Sequence, residues 1–118
     1  MQMKPTVFGI KNCDTIKRAR VWLEANGVEY NFHDYKCLGV DLAKLKGWAA
    51  EVGWERLLNR AGTTFRKLPD ADKEGLDEVK ALRLMLAQPS MIKRPIVETK
   101  GALLVGFDAE RFRTALLS

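Results

Sequence analysis

The hydrophobic period of the chain changes at Cys13. Before it, TVFGI (Thr6 to Ile10) is a short apolar, β-branched run of the kind that forms a buried strand. After it, Ile16, Ala19 and Leu23 recur at i, i+3 and i+7, one face of a helix. Asp14 or Thr15 can cap the start of that helix, and Gly27 can end it as the residue past the C-cap. VEYNFHDY (Val28 to Tyr35) then alternates apolar and polar side chains, which predicts a second strand. Strand, helix and strand within about thirty residues make a β-α-β unit, with parallel strands and a right-handed crossover.

Asp41 heads a helical run with Leu42, Leu45, Ala49 and Val52 on one face, closed by Gly53. WERLLNR reads as a further short helix, and AGTTFRKLPDAD, polar and punctuated, as a loop. Leu76, Val79, Leu82 and Leu86 predict another amphipathic helix that stops before Pro89. PIVE and ALLVGF read as two short strands joined at Lys100-Gly101, a hairpin signal. Asp108 caps a last helix with Ala109, Phe112 and Leu116 on its inner face. The order β-α-β, helices, β-β-α predicts an α/β fold with one mixed four-stranded sheet and helices on its faces. At 118 residues and 47% hydrophobic, residues 1–118 are expected to form a single domain.

There is no apolar run near the length a membrane-spanning helix needs. The start, MQMKPTVFGIKNC, lacks a long apolar stretch and a small-residue cleavage site, so a cytoplasmic location is expected. Two cysteines, Cys13 and Cys37, are too few for a disulfide framework and are expected to be reduced there. With one histidine besides, a Cys/His site has three candidate ligands where structural zinc wants four, so no metal is expected. The net charge of +5 suits nucleic acid or an anionic small molecule. The basic residues are spread along the chain and no recognised motif gathers them, which argues against direct nucleic-acid binding. His33, mid-strand, reads as structural, and Trp22, Trp48 and Trp54 read as packing residues.

Cys13 stands where a strand opens into a helix N-terminus, the end of a sheet at which α/β proteins bind ligands. Backbone N–H groups there carry partial positive charge and stabilise a thiolate, the reactive form of cysteine. Lys11, Lys17 and Arg18 add to this if they point inward, and Asp14 opposes it. From position alone, a reactive thiol and a buried, inert one both fit. In MIKRPIVE (Met91 to Glu98), Lys93 and Arg94 precede Pro95, which opens a strand and permits a cis bond. If that strand lies beside the first, Arg94 can reach the mouth of the thiol site and hold an anionic group bidentately. Otherwise Lys93 and Arg94 are a surface pair before an edge strand. Cys37 becomes a resolving thiol if the fold brings it within about 7 Å of Cys13, Cα to Cα, and otherwise is incidental.

GIKNCDTIKRARVWLEANGVEYNFHDYK, GWERLLNRAGTTFRKL, MIKRPIVE and LLVGF, in that order through nearly the whole chain, resemble the arsenate reductase / Spx / YffB family of ArsC-like thioredoxin-fold proteins. The YffB-type branch is the most similar. The resemblance implies a thioredoxin-like sheet with a helical insert at residues 39–89. It implies Cys13 as nucleophile, Arg94 as an anion-binding catalytic residue, and Lys11, Asn12, Arg60, Arg94 and Pro95 around the substrate, with Pro95 similar to the cis-proline that faces the cysteine in such folds. Arsenate reductases of this family use two further arginines, where this chain holds Asn59 and Phe107; Arg60 is one step from the first. The regulator branch commonly carries Cys-x-x-Cys, but here Ile16 stands three residues after Cys13. A lone thiol needs an outside partner. The resemblance therefore implies a monothiol oxidoreductase with no bound cofactor, using glutathione as co-substrate and glutaredoxin as a possible partner. The alternatives are an arsenate reductase, or an Spx-like module that docks on RNA polymerase without catalysis. A monomer is expected.

Overall fold

The computed structural model describes residues 4–11 and 13–117. The elements are β1 (Thr6–Gly9), α1 (Asp14–Ala25), β2 (Asn31–Asp34), α2 (Tyr35–Leu38), α3 (Leu42–Val52), α4 (Trp54–Leu57), α5 (Thr63–Arg66), α6 (Asp70–Lys73), α7 (Glu78–Ala87), a 3₁₀ turn (Pro89–Met91), β3 (Ile96–Thr99), β4 (Ala102–Val105) and α8 (Ala109–Leu116). They fall into two compact units. One comprises the chain up to Leu38 and from Arg94 onward; the other is Gly39–Lys93. Among the described residues, no helix is long and apolar enough to cross a membrane.

The first unit holds a mixed four-stranded sheet in the order β2-β1-β3-β4. β1 pairs with β2 in parallel, as the β-α-β reading requires, and antiparallel with β3, which pairs antiparallel with β4. The central position of β1 explains its apolar run, since Val7, Phe8 and Gly9 are all buried. Strand alternation sends Val7 and Val97 to one face of the sheet, with Ala19 and Leu23 of α1 and Phe112 of α8 packed against them. Trp22, Phe32 and Leu104 close around that cluster. The hairpin turns at Lys100-Gly101, where Gly101 takes φ 77°, a left-handed conformation that costs glycine little.

Gly9 sets how closely α1 approaches the sheet. A Cβ built at that position would lie 2.3 Å from Ile16 Cδ1, and Ile16 is itself fully buried. Gly9→Ala must therefore force the buried Ile16 side chain out of its place. We expect a loss of about 1–3 kcal/mol, read as a lower urea midpoint at unchanged slope; an unchanged midpoint would show that Ile16 moves aside without cost.

In the second unit, Leu45, Trp48 and Ala49 of α3 are buried, as are Ala81, Leu82 and Met85 of α7. Its C-terminal end is tied to the segment after α4 by an antiparallel bridge between Leu58 and Ile92, flanked by the Asn59 N–H to Met91 carbonyl (2.7 Å) and Lys93 N–H to Leu57 carbonyl (2.8 Å) hydrogen bonds. The segment expected to be a loop contains α5 and α6, two single-turn helices too short to show a 3.6-residue period. Buried Phe65 anchors the first, and Lys80 Nζ donates to the carbonyls of Ala71 and Glu74 beside the second. In α7 the predicted face is inward at Leu82, which is buried, and at half-buried Leu86, but Val79 is 65% exposed. The helix starts at Glu78 behind an Asp77 cap, so Leu76 lies outside it and a period counted from Leu76 misleads. Leu42 and Ala109, also expected inside, are exposed in the first turns of their helices.

Candidate active site at the end of the sheet

Strand direction brings distant residues together. Gly9 pairs with Asp34 in the parallel ladder, and Phe8 with Ile96 in the antiparallel one. The C-terminal ends of β1 and β2 and the N-terminal end of β3 thus share one end of the sheet. Cys13 follows the first of these, Tyr35 the second, and Arg94 precedes the third. This is the end at which parallel strands deliver their loops, and where α/β folds place ligands.

Cys13 is itself the N-cap of α1, which corrects the expectation of Asp14 or Thr15. Its backbone is extended (φ −137°, ψ 129°) and its carbonyl accepts the first helical hydrogen bond from Lys17 N–H at 2.9 Å. A serine or aspartate at an N-cap would accept hydrogen bonds from the second and third N–H groups of the helix. The Cys13 side chain makes no such cap bond. The N–H groups of Ile16 and Thr15 and the guanidinium of Arg94 nevertheless favour its anion. Partial burial pushes the Cys13 thiol up. The N–H groups and Arg94, through a hydrogen bond and its charge, more than offset this and hold the thiol below its ordinary value.

Arg94 also donates to the hydroxyl oxygen of Tyr35. Tyr35 was read from sequence as the last residue of a strand; instead β2 stops at Asp34 and Tyr35 opens α2, fully buried. Burial raises the Tyr35 hydroxyl far above the usual tyrosine range; Arg94 offsets part of this, while Cys13 and Asp34 add to it. The phenol is therefore neutral. Burial alone would lower Arg94, but Tyr35 and Cys13 hold it above its ordinary value, so its charge is permanent. The Arg94–Pro95 bond is cis, and buried Pro95 accepts a hydrogen bond from Gly106 N–H at 2.8 Å.

The remaining candidates divide. Lys11, Lys17 and Arg18 are exposed, as is Asp14, so the cation beside the sulfur is Arg94 and not the helix's own basic residues. Asn12 lies outside the described residues. Arg60 belongs to the Gly39–Lys93 unit, where its guanidinium stands 5.4 Å from the centre of the Trp54 ring. Phe107 packs edge-on against Phe112 at 5.0 Å between ring centres, an apolar role in place of an arginine. Cys37 is exposed, with Sγ 3.6 Å from Asp34 Oδ2, and neither cysteine is in a disulfide. His33 stacks at a tilt on its β1 partner Phe8, 4.8 Å between ring centres. Among the described residues, no three histidine, cysteine or acidic side chains gather as metal ligands would.

Sheet order, cis-proline and a cysteine at the first helix N-cap define a thioredoxin-like α/β protein with a thiol at its candidate site. The chain belongs to the ArsC family, whose model matches residues 8–115. It is 41% identical over 110 residues to an uncharacterized protein of Haemophilus influenzae, covering 93% of this chain and 96% of that one. Among solved structures it superimposes on a protein named YFFB with a TM-score of 0.93 and 57% identity, covering 96% and 99% of the two chains. An arsenate reductase (ArsC) related protein from Brucella melitensis is 54% identical at a TM-score of 0.78, covering 95% of this chain and 93% of that chain.

Proposed function

We propose that the protein is a glutathione-dependent monothiol oxidoreductase with Cys13 as its nucleophile. The observation that carries this is the capping arrangement: Cys13 is stabilised as an anion by two helix N–H groups and by Arg94. The thiolate attacks the glutathione sulfur of a mixed disulfide between glutathione and another thiol. A Cys13–glutathione disulfide forms and the other thiol leaves as its thiolate. A second glutathione attacks the glutathione sulfur of the adduct, returns Cys13 as thiolate and departs as oxidised glutathione; the thiolate of a glutaredoxin in the same role departs glutathionylated. Electrons balance, since each step exchanges one disulfide for another. Glutathione is anionic at neutral pH, so a carboxylate arriving at Cys13 meets the Arg94 guanidinium.

The test is direct. After incubation with oxidised glutathione, intact mass should rise by about 305 Da, on Cys13 by peptide mapping, and reduced glutathione should reverse it. No adduct, with Cys13 alkylating at neutral pH no faster than an ordinary thiol, would sink the proposal.

Arsenate reduction with glutathione as electron donor is the second reading, favoured by the 54% identity to the Brucella melitensis protein. Against it, Phe107 is packed on Phe112 and offers no donor to an oxyanion. Arsenate-dependent oxidation of glutathione, supported by glutaredoxin and lost with Cys13, would establish this reading; its absence at millimolar arsenate would remove it.

A further inference from the structure

We infer that Tyr35 is the positioning residue for Arg94: its buried hydroxyl oxygen holds one arm of the guanidinium so that the fork meets Cys13. The inference rests on the reading of Cys13 as a working thiolate. The register of the sheet carries it. β1 lies between β2 and β3, so the residue after β2 and the residue two before β3 approach the Cys13 loop from opposite sides. Arg94 bridges them, with N–H donors to Tyr35 on one side and Cys13 on the other.

The chemistry of the anchor matters. Arginine has only donors, so the group that aims it must be an acceptor. A carboxylate would do this and would also cancel much of the charge that the sulfur needs. A neutral phenol oxygen fixes the fork and leaves the positive charge in place. Tyr35 is 0% exposed, so its oxygen is held by the packing of its ring and does not exchange that contact for water. Asp34, at the end of β2, acts on Tyr35, and its carboxylate also accepts from Lys36 N–H at 3.0 Å. On α1 itself Asp14 and Lys17 are both exposed.

The experiment follows Cys13 alkylation by iodoacetamide against pH, together with thiolate ultraviolet absorbance, in a Cys37→Ser background. Tyr35→Phe keeps the ring and removes the oxygen. Its profile should move to higher pH, with the rate at neutral pH falling about threefold. Arg94→Gln should move it further, with a fall of about tenfold. The double variant should match Arg94→Gln alone, because without the guanidinium nothing is left to aim. Replacing both tyrosines by 3-fluorotyrosine weakens the acceptor without removing it, and should give a smaller shift in the same direction even if Tyr35→Phe folds poorly. A Tyr35→Phe profile equal to the parent, or effects of the two substitutions that add, would overturn the inference. A parent profile like that of an ordinary thiol, unmoved by Arg94→Gln, would overturn the functional reading beneath it and the inference with it.

Discussion

Cys13→Ser should give no glutathione adduct at position 13 and no disulfide exchange, while keeping its fold. A serine oxygen does not attack a disulfide, so the loss is complete and not graded. The same substitution suits the helix. Serine is a preferred N-cap, and its hydroxyl can accept from the Thr15 and Ile16 N–H groups, where Cys13 makes no cap bond. The variant should therefore be at least as stable as the parent at mildly acidic pH, by up to about 1 kcal/mol. The pH dependence follows with a definite sign. The folded state holds Cys13 below its ordinary value, so its contribution to stability is full above the unfolded thiol's titration. That contribution is lost as pH falls through the folded thiol's titration. In Cys13→Ser this share of the pH dependence should vanish. Urea unfolding of parent and variant across neutral to alkaline pH, with Cys37 also replaced by serine, measures it. A variant that loses stability at every pH would show that the sulfur's packing outweighs its capping.

Phe112→Ala should be the most damaging substitution for stability, at about 3–5 kcal/mol. Phe112 is 0% exposed and sits among Val7, Ala19, Leu23 and Val97, where α1, α8 and the sheet meet. Its ring meets Trp22 edge-on at 5.6 Å and Phe107 at 5.0 Å, contacts worth more than area alone. Domains are stable by about 5–15 kcal/mol in all, so such a loss is a large share of the whole. A denaturant midpoint lowered with little change in slope is the expected result. A loss below about 1 kcal/mol would mean that Trp22 and Phe107 collapse into the space. Phe112→Leu should lose less, because most of the volume remains.

The period change at Cys13 made the β-α-β unit and the site's first residue legible, since buried strands and amphipathic helices leave different spacings. Gly101 and the Asp41 and Asp108 caps were legible for the same local reason: each acts on backbone within a few residues. Tyr35 was not. Its role depends on meeting Arg94 across β1, and no local pattern records a contact between residues so far apart. A signal existed in the topology, because parallel β1 and β2 must end side by side, yet alternation extended the strand through Tyr35. The N-cap was misplaced because capping rules rank oxygen acceptors, whereas Cys13 holds the position by its extended backbone without a side-chain bond. Val79 was misplaced in α7 because Leu76 counts toward the period while standing outside the helix.

The arrangement of chain ends carries one more consequence. The sulfur comes from the thirteenth residue, whereas its guanidinium neighbour arrives only after the whole Gly39–Lys93 segment has been made. Arg94 therefore reaches Cys13 only through the β1–β3 pairing, and in an unfolded chain the two side chains have nothing to hold them together.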